Sequence, residues 1–487
     1  MFKDIADPVH GLIRLTKVEA ELLATRAMQR LHNIHQLGLA YLVFPGANYT
    51  RHAHSIGACH NAGRMIDAIQ RNADHELCKK YHEDFSKYRI LALLHDIGHY
   101  PFSHATEHVI ADYFTTTSGS TSLFASGKGV DQDQQPAPKA KQYRNHEEMG
   151  AFIIENDEEV VSVLKSNGYD PVEISERFRL TKPEYSPLSG IISSELDCDR
   201  LDYLRRTAMN SGAPYGSVDI SFLIDQATLD NDGNFCFRGK AARSADHLLV
   251  SRFYDYMQVP FNKTAVALEW SLMESLKLAF GLGLIKPDAF AMEQRVSRGS
   301  DWQIFDDQYM FASFRKILSE STLSPVQADH LNAIACRRPA KLIASWDTLR
   351  SKSQSEGGAD QYTEHAAKRK TLTKITSEFC EAHGLDRERM YVWECKVKFT
   401  KDGSDDDVES SDPSYFADGV HILDEKQGRA RRLVKRGDML VSTLSKAYLS
   451  GLRIYYMPER GDTKHVGTIS QEFIAFAKDR FDLPTLP

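Results

Sequence analysis

Apolar residues recur at three- and four-residue intervals through most of the chain and alternate in twos only toward its end. In TKVEAELLATRAMQRLHNIHQLG, Leu23, Ala27, Leu31 and Ile34 share one face. This predicts a helix that starts at Thr16, with Glu19 in capping-box spacing, and stops at Gly38. HSIGACHNAGRMIDAIQRN and YRILALLHDIGH predict two further helices. Pro101 breaks the run and FSHATEHVIADYF restarts it, so the first 110 residues read as helices. Residues 115–144 turn Ser/Thr/Gly-rich, then Gln/Pro/Ala/Lys-rich, which predicts a mobile loop, with an ordered lid as the alternative. Asn145 caps the next helix, with Glu148 at its N3 position. SSELDCDRLDYLRRTAMNSG is a helix ended by Gly212, and residues 242–283 and 305–350 read as mainly helical.

From about residue 372 the pattern changes. MYVWECKVKF, GVHILDE, RRLVKRG and LRIYYMPE read as strands, KDGSDDDVESSDPS as an acidic loop, and SQEFIAFAKDRF as a closing helix. The expected fold is mainly α: a helical catalytic part over 1–372 and a smaller C-terminal α+β lobe over 373–487, suited to oligomerisation or effector binding. With 487 residues and 42% hydrophobic content, the chain can bury a large core. No apolar run approaches the roughly 20 residues that span a bilayer. MFKDIADPVHGL lacks the basic and apolar regions of a signal peptide. Seven scattered cysteines, never in CxxC spacing, read as reduced thiols, so a cytoplasmic location and no membrane partner are expected. A net charge of −7 argues against wholesale nucleic-acid binding. It leaves room for a local basic pocket.

The candidate chemistry gathers in short pieces. His95 and Asp96 form a doublet at the end of an apolar run, and His54 and Asp199 can complete a set of four nitrogen and oxygen ligands. Such a set suits one divalent transition metal per subunit, Fe, Mn, Zn, Co or Ni, and suits Mg less well. Cations cluster near these positions. Arg51 lies one helical turn before His54, and Arg200 follows Asp199 directly; Tyr203 shares the face of Asp199. Arg252 and Lys263 lie further along, in SRFYDYMQ and FNKT. Arginine offers a polyphosphate a forked, permanent charge. The bland reading of each is a surface or ion-pair residue. His104 and Glu107 are spaced to form an oriented general acid, and His146, at a helix start, is a second proton partner.

These motifs carry a resemblance. DPVHGLIRLTKVEAELLATRAMQRLHNIHQLGLAYLVFPGANYTRHAHSIG, LLHDIGHYPFSHATEH and SSELDCDRLDYLRR resemble three blocks of the HD-domain dNTP triphosphohydrolases, specifically to about residue 210 and more weakly through SRFYDYMQVPFNKT. The resemblance implies an HD-domain helical core and cleavage of a dNTP to a deoxynucleoside and inorganic triphosphate. It also implies control of dNTP pools, with antiviral depletion as one role. It gives His54, His95, Asp96 and Asp199 as metal ligands. Arg51, Arg200, Tyr203, Arg252 and Lys263 become phosphate contacts, with Mg accompanying the phosphates and His99 beside them. His104, Glu107 and His146 become proton-transfer residues, and Gln36 lies by the sugar. It further implies a homo-oligomer, tetramer or hexamer, and a nucleotide effector.

Some positions depart from that pattern. Thr207 stands where an Asp near the sugar is usual, and Pro260-Phe261-Asn262 replaces a usual Tyr-x-His. Ala24 and His32 stand where a vertebrate member reads guanine, so activation of that kind is not expected. Two alternatives remain. One is hydrolysis of a nucleoside monophosphate, cyclic dinucleotide or alarmone at the same site. The other is a nucleotide or single-strand nucleic-acid sensor, for which GRARRLVKRG is the compact basic run.

Overall fold

The structure is a computed structural model that describes residues 3–118, 143–182, 185–216, 218–351, 361–400, 419–459, 465–478 and 480–481. The chain opens with an antiparallel hairpin of β1 (Lys3–Asp7) and β2 (Gly11–Leu15), in register Lys3↔Leu15. The helical reading of the first 110 residues missed this hairpin. The single helix expected from Thr16 to Gly38 is also broken. α1 (Lys17–Leu23) has the expected capping box of Thr16 and Glu19, and then Thr25 becomes extended and caps a separate α2 (Arg26–Arg30). The Thr25 hydroxyl donates to the Leu22 carbonyl at 2.7 Å and so terminates the first piece.

The helical core is built on α3 (Arg51–Asn72), which packs against α4 (His82–Leu94) and, later in the chain, α7 (Cys198–Ser211). Between them come α5 (His104–Ser118) and α6 (His146–Asn156). Residues 115–118 belong to α5, where a loop was expected; the rest of that predicted loop, 119–142, lies outside the described residues, as does the acidic loop at 401–414. Asn145 and Glu148 form the expected capping box of α6, and α7 ends at Gly212 with φ 74°, a left-handed position that favours glycine. Gly98 matters for another reason. A Cβ there would overlap the His146 carbonyl and the Gly150 amide, so glycine lets α6 close onto the His95-Asp96 turn.

Beyond α7 the chain forms β3 (Ala227–Leu229), β4 (Phe235–Phe237), α8 (Ala242–Gln258), α9 (Lys263–Gly281) and α10 (Asp307–Glu320). Then come β5 (Lys341–Ser351), α11 (Gln361–His383), β6 (Met390–Lys398), β7 (His421–Asp424), β8 (Arg429–Arg432), β9 (Ala447–Tyr456) and α12 (Val466–Lys478). Residues 341–351, expected to continue a helical stretch, are a strand, because β9 offers them an antiparallel ladder from Lys341↔Tyr456 onward. The C-terminal sheet has the order β5-β9-β6. One face packs on Phe379, Phe473 and Ile469 of α11 and α12, the other on Val266 and Trp270 of α9. Alternation along β9 sends Ile454 to the first and Tyr455 to the second. The division expected at residue 372 falls inside α11, and β7 pairs in parallel with β4 to extend a sheet begun in the catalytic part. The protein is mainly α with a smaller C-terminal α+β region, as expected.

Candidate functional site

Three helix ends converge. Thr50 caps α3, which sets Arg51 and His54 on one face in its first turn. α4 stops at Leu94, and the imidazole of His95 donates from Nδ1 to the Ala92 carbonyl at 2.8 Å. Asp197 caps α7, so Asp199 and Arg200 occupy its first turn. Between α4 and α5, Phe102 and Ser103 both have φ 55°, a costly left-handed conformation for residues with a Cβ. It is held by Asp307 of α10, which accepts from the Phe102 amide at 2.7 Å, and by Arg51, which donates to Ser103 Oγ at 2.7 Å.

His54, His95, Asp96 and Asp199 come together as expected. His54 donates from Nδ1 to Asp202 Oδ2 at 2.7 Å. With both Nδ1 atoms committed, the two rings turn their Nε2 atoms toward each other at 3.2 Å. Asp199 Oδ1 is 2.8 Å from His54 Nε2, and Asp96 Oδ1 is 3.4 Å from His95 Nε2. Ligands about 2.1 Å from one ion at right angles stand about 3 Å apart, so this spacing and donor set fit a single divalent ion. Two facing ring nitrogens with two carboxylates around them suit a cation. Without one, the hydrogen bonds and charges of Asp199 and Asp202 outweigh the effect of burial and raise the His54 imidazole to about 10. Burial opposes ionisation of Asp96, yet Arg51, His95 and His99 hold its carboxyl well below the usual range.

Above this set lies a cavity of about 440 Å³, lined by Gln36, Arg51, His99, Arg200, Tyr203 and Asp255 among others. Arg51 is buried and donates to Asp96 Oδ2 at 2.6 Å, so it clamps the Asp96 carboxylate as well as facing the cavity. Arg200 bonds the Ser194 carbonyl and Asp197. Two expected phosphate contacts are not on this wall: Arg252 is drawn to Glu195 Oε1 at 2.9 Å, and Lys263 is exposed at the start of α9. Asp255 does line the cavity and was not anticipated. Burial raises its carboxyl to about 7, and it accepts from the Tyr215 hydroxyl.

The residues expected to handle protons are arranged differently from a simple His104–Glu107 pair. Glu107 Oε2 lies 2.8 Å from His146 Nδ1 and 3.6 Å from His104 Nδ1, so its firm partner is His146. Burial disfavours its charge, but the two imidazoles outweigh that and lower its carboxyl far below the usual range. His99 stacks on His146 with centroids 4.1 Å apart and planes 12° apart. An ion in the plane of one ring would sit well out of the plane of the other. His99, His104 and His146 therefore do not chelate a common ion, although their nitrogens lie within 4.8 Å of one another. His99 hydrogen-bonds Asp96 Oδ1 at 3.1 Å; burial, aided by Arg51, holds its imidazole well below the usual range.

Sequence reasoning missed Asp202. Fully buried, it accepts from His54, from His10 Nε2 at 2.6 Å and from Arg206 Nε at 2.9 Å, and so orients the His54 imidazole from behind. Its signal was the i, i+3 spacing from Asp199 and i, i+4 spacing to Arg206. The basic run on β8 is largely committed: Arg429 to Asp232, Arg431 to Asp424 and Gln427, and Arg436 beyond it to Asp438. All seven cysteines are free. Among the described residues no helix is long and apolar enough to cross a membrane.

Residues 51–204 match the HD domain. The chain is similar to uncharacterized protein YwfO of Bacillus subtilis (strain 168), 29% identical over 286 residues, 57% of this chain and 56% of that one. It is also similar to human deoxynucleoside triphosphate triphosphohydrolase SAMHD1, 31% identical over 255 residues, 49% of this chain and 38% of that one. The chain spans about half the length of the curated relatives it matches. A crystal structure of a hypothetical protein from Aquifex aeolicus superposes with a TM-score of 0.66 at 22% identity, covering 97% of this chain and 100% of that one. A phosphohydrolase from Bacteroides thetaiotaomicron gives 0.63 at 21%, covering 94% and 100%. Those two likenesses establish the fold. The chain carries an HD domain and resembles an HD-domain dNTPase-like family, as its motifs suggested.

Proposed function

We propose that this HD-domain protein is a metal-dependent phosphohydrolase that cleaves a deoxynucleoside triphosphate to a deoxynucleoside and inorganic triphosphate. The observation that carries this reading is the pair of imidazole Nε2 atoms 3.2 Å apart, flanked by Asp96 and Asp199, beneath a cavity walled by Arg51, Arg200 and Tyr203. His54, His95, Asp96 and Asp199 would hold the ion, with Fe, Mn, Zn, Co or Ni best suited to the mixed donors. When bound, a divalent ion neutralises phosphate charge and polarises the α-phosphorus. Arg200 and Tyr203 meet the phosphates on the cavity wall, and Arg51 keeps Asp96 ionised and aimed. Water adds at the α-phosphorus, the bond to the 5′-oxygen breaks, and that oxygen takes a proton from the His104–His146 pair, oriented by Glu107.

Chromatography of the products from each dNTP and NTP tests this, alone and in mixtures, with several divalent metals supplied. Intact triphosphate is expected from dNTPs, and mixtures reveal any nucleotide effector. Release of orthophosphate or pyrophosphate alone would move the site to another nucleotide. Glu107→Gln is expected to lower kcat by about 10- to 100-fold with little change in KM, because it loosens the proton donor and touches no phosphate. Steady-state kinetics with the preferred substrate checks this, and an equal rise in KM would place Glu107 in binding instead.

A further inference from the structure

A second cavity, of about 230 Å³, opens off the first and shares Gln36, Leu37, His104, Tyr256 and Pro260 with it. Its deeper walls are apolar, from Phe102, Ala105, Val259 and Leu272 among others. One acid lies among them: Glu269, on the second turn of α9. Among the described residues no side chain donates a hydrogen bond to its carboxyl and no cation pairs with it; burial alone raises the group to about 7. An unpaired carboxyl in an apolar recess is costly unless a ligand brings the donors. At the mouth of the recess, the buried Gln36 Oε1 likewise lacks a donor.

The placement says which part of the substrate enters. Arg51, Arg200, His95, Asp96 and Asp199 line the first cavity and not the second, whereas His104 lines both. If His104 and His146 serve the 5′-oxygen, the phosphates lie on the metal side and the nucleoside extends the other way. The apolar recess begins there. A planar base suits its walls. A carboxylate accepts two parallel N–H bonds, and guanine is the common base whose Watson–Crick edge presents two adjacent N–H donors, N1–H and N2–H. Thymine presents one N–H between two carbonyl oxygens, which would face the carboxylate oxygens unfavourably.

We propose that this recess receives the nucleobase and that Glu269 reads its Watson–Crick edge, selecting guanine over thymine. The inference rests on the dNTP-hydrolysing reading above. The test is kcat/KM for triphosphate release from dGTP, dATP, dCTP and dTTP, with the wild-type protein and Glu269→Gln, each bearing its metal and checked by thermal melting. The wild type is expected to favour dGTP over dTTP by about tenfold or more, and Glu269→Gln to lose dGTP efficiency by about 10- to 100-fold while dTTP changes by less than about threefold. Glu269→Leu removes an unpaired, half-buried carboxyl from an apolar recess, so it should fold at least as stably and lose the same preference. Triphosphate release with no guanine preference in the wild type overturns the inference and leaves the function standing. So does a preference that survives both substitutions. No triphosphate from any dNTP overturns the function, and this inference with it.

Discussion

Replacing Asp96 by asparagine is expected to cut turnover by about 10³-fold or more and to strip metal from the protein. Asp96 is 4% exposed and has three tasks. Its Oδ2 accepts from Arg51 at 2.6 Å, its Oδ1 lies 3.1 Å from His99 Nε2, and the same Oδ1 stands 3.4 Å from Nε2 of His95. Asparagine keeps the volume but removes the charge that an ion and Arg51 both need. Asp96→Ala goes further and leaves Arg51 buried without its partner, a loss of about 3–5 kcal/mol in comparable pairs. The asparagine variant therefore separates chemistry from folding. Metal per subunit by plasma emission spectroscopy, with triphosphate release on the same sample, gives the answer. Wild-type values for both would remove Asp96 from the site.

What the sequence made legible were groups joined by local spacing. Arg51 and His54 share a face because they are one turn apart, His95 and Asp96 are adjacent, and Asp199, Arg200 and Tyr203 lie in one helical turn. The capping boxes at Thr16 and Asn145 were readable for the same reason. Partners set by tertiary packing were not. Glu107 is three residues from His104 in the chain, yet it bonds His146 more closely because Gly98 lets α6 approach. Arg252 sits in a suggestive motif, but Glu195, far away in sequence, claims it. β5 was hidden because its ladder partner β9 lies about a hundred residues later, and no local alternation marked it strongly. β1 and β2 are five residues each, short enough for the helical pattern beside them to mask.

Asp202 is where that blindness matters most, and its removal should disturb metal binding and stability together. Its Oδ2 accepts from His54 at 2.7 Å and Arg206 at 2.9 Å; its Oδ1 accepts from His10 at 2.6 Å and Arg206 at 2.9 Å. Asp7 holds the other side of Arg206 at 2.9 Å. α3 comes this close to α7 only because Gly57 has no side chain: a Cβ there would overlap Asp202 Oδ1 and stand 2.6 Å from Arg206 Nη2. Asp202→Asn places an N–H where an acceptor is required, so Arg206 loses one of its two bonds here and either His54 or His10 loses its own. Metal affinity should fall about 10- to 100-fold, the usual cost of losing a carboxylate behind a ligating imidazole. Asp202→Ala leaves His54 and His10 without their acceptor and Arg206 with Asp7 alone, and should cost about 3–5 kcal/mol. The pH dependence follows from the sign of the shift. Burial opposes ionisation of Asp202, but its bonds to His10 and His54 and the charge of Arg206 depress its carboxyl far below the usual range. A depressed carboxyl stabilises the fold above its unfolded value of about 3.9 and loses that contribution as pH falls toward the folded value. The stability gap between wild type and Asp202→Asn should therefore be flat from neutral pH to about 4 and narrow below it. Thermal melting across that range, beside a metal titration at neutral pH, measures both. Equal metal affinity in Asp202→Asn would mean that the α3 backbone alone aims His54, and the paired acid behind it would then be structural only.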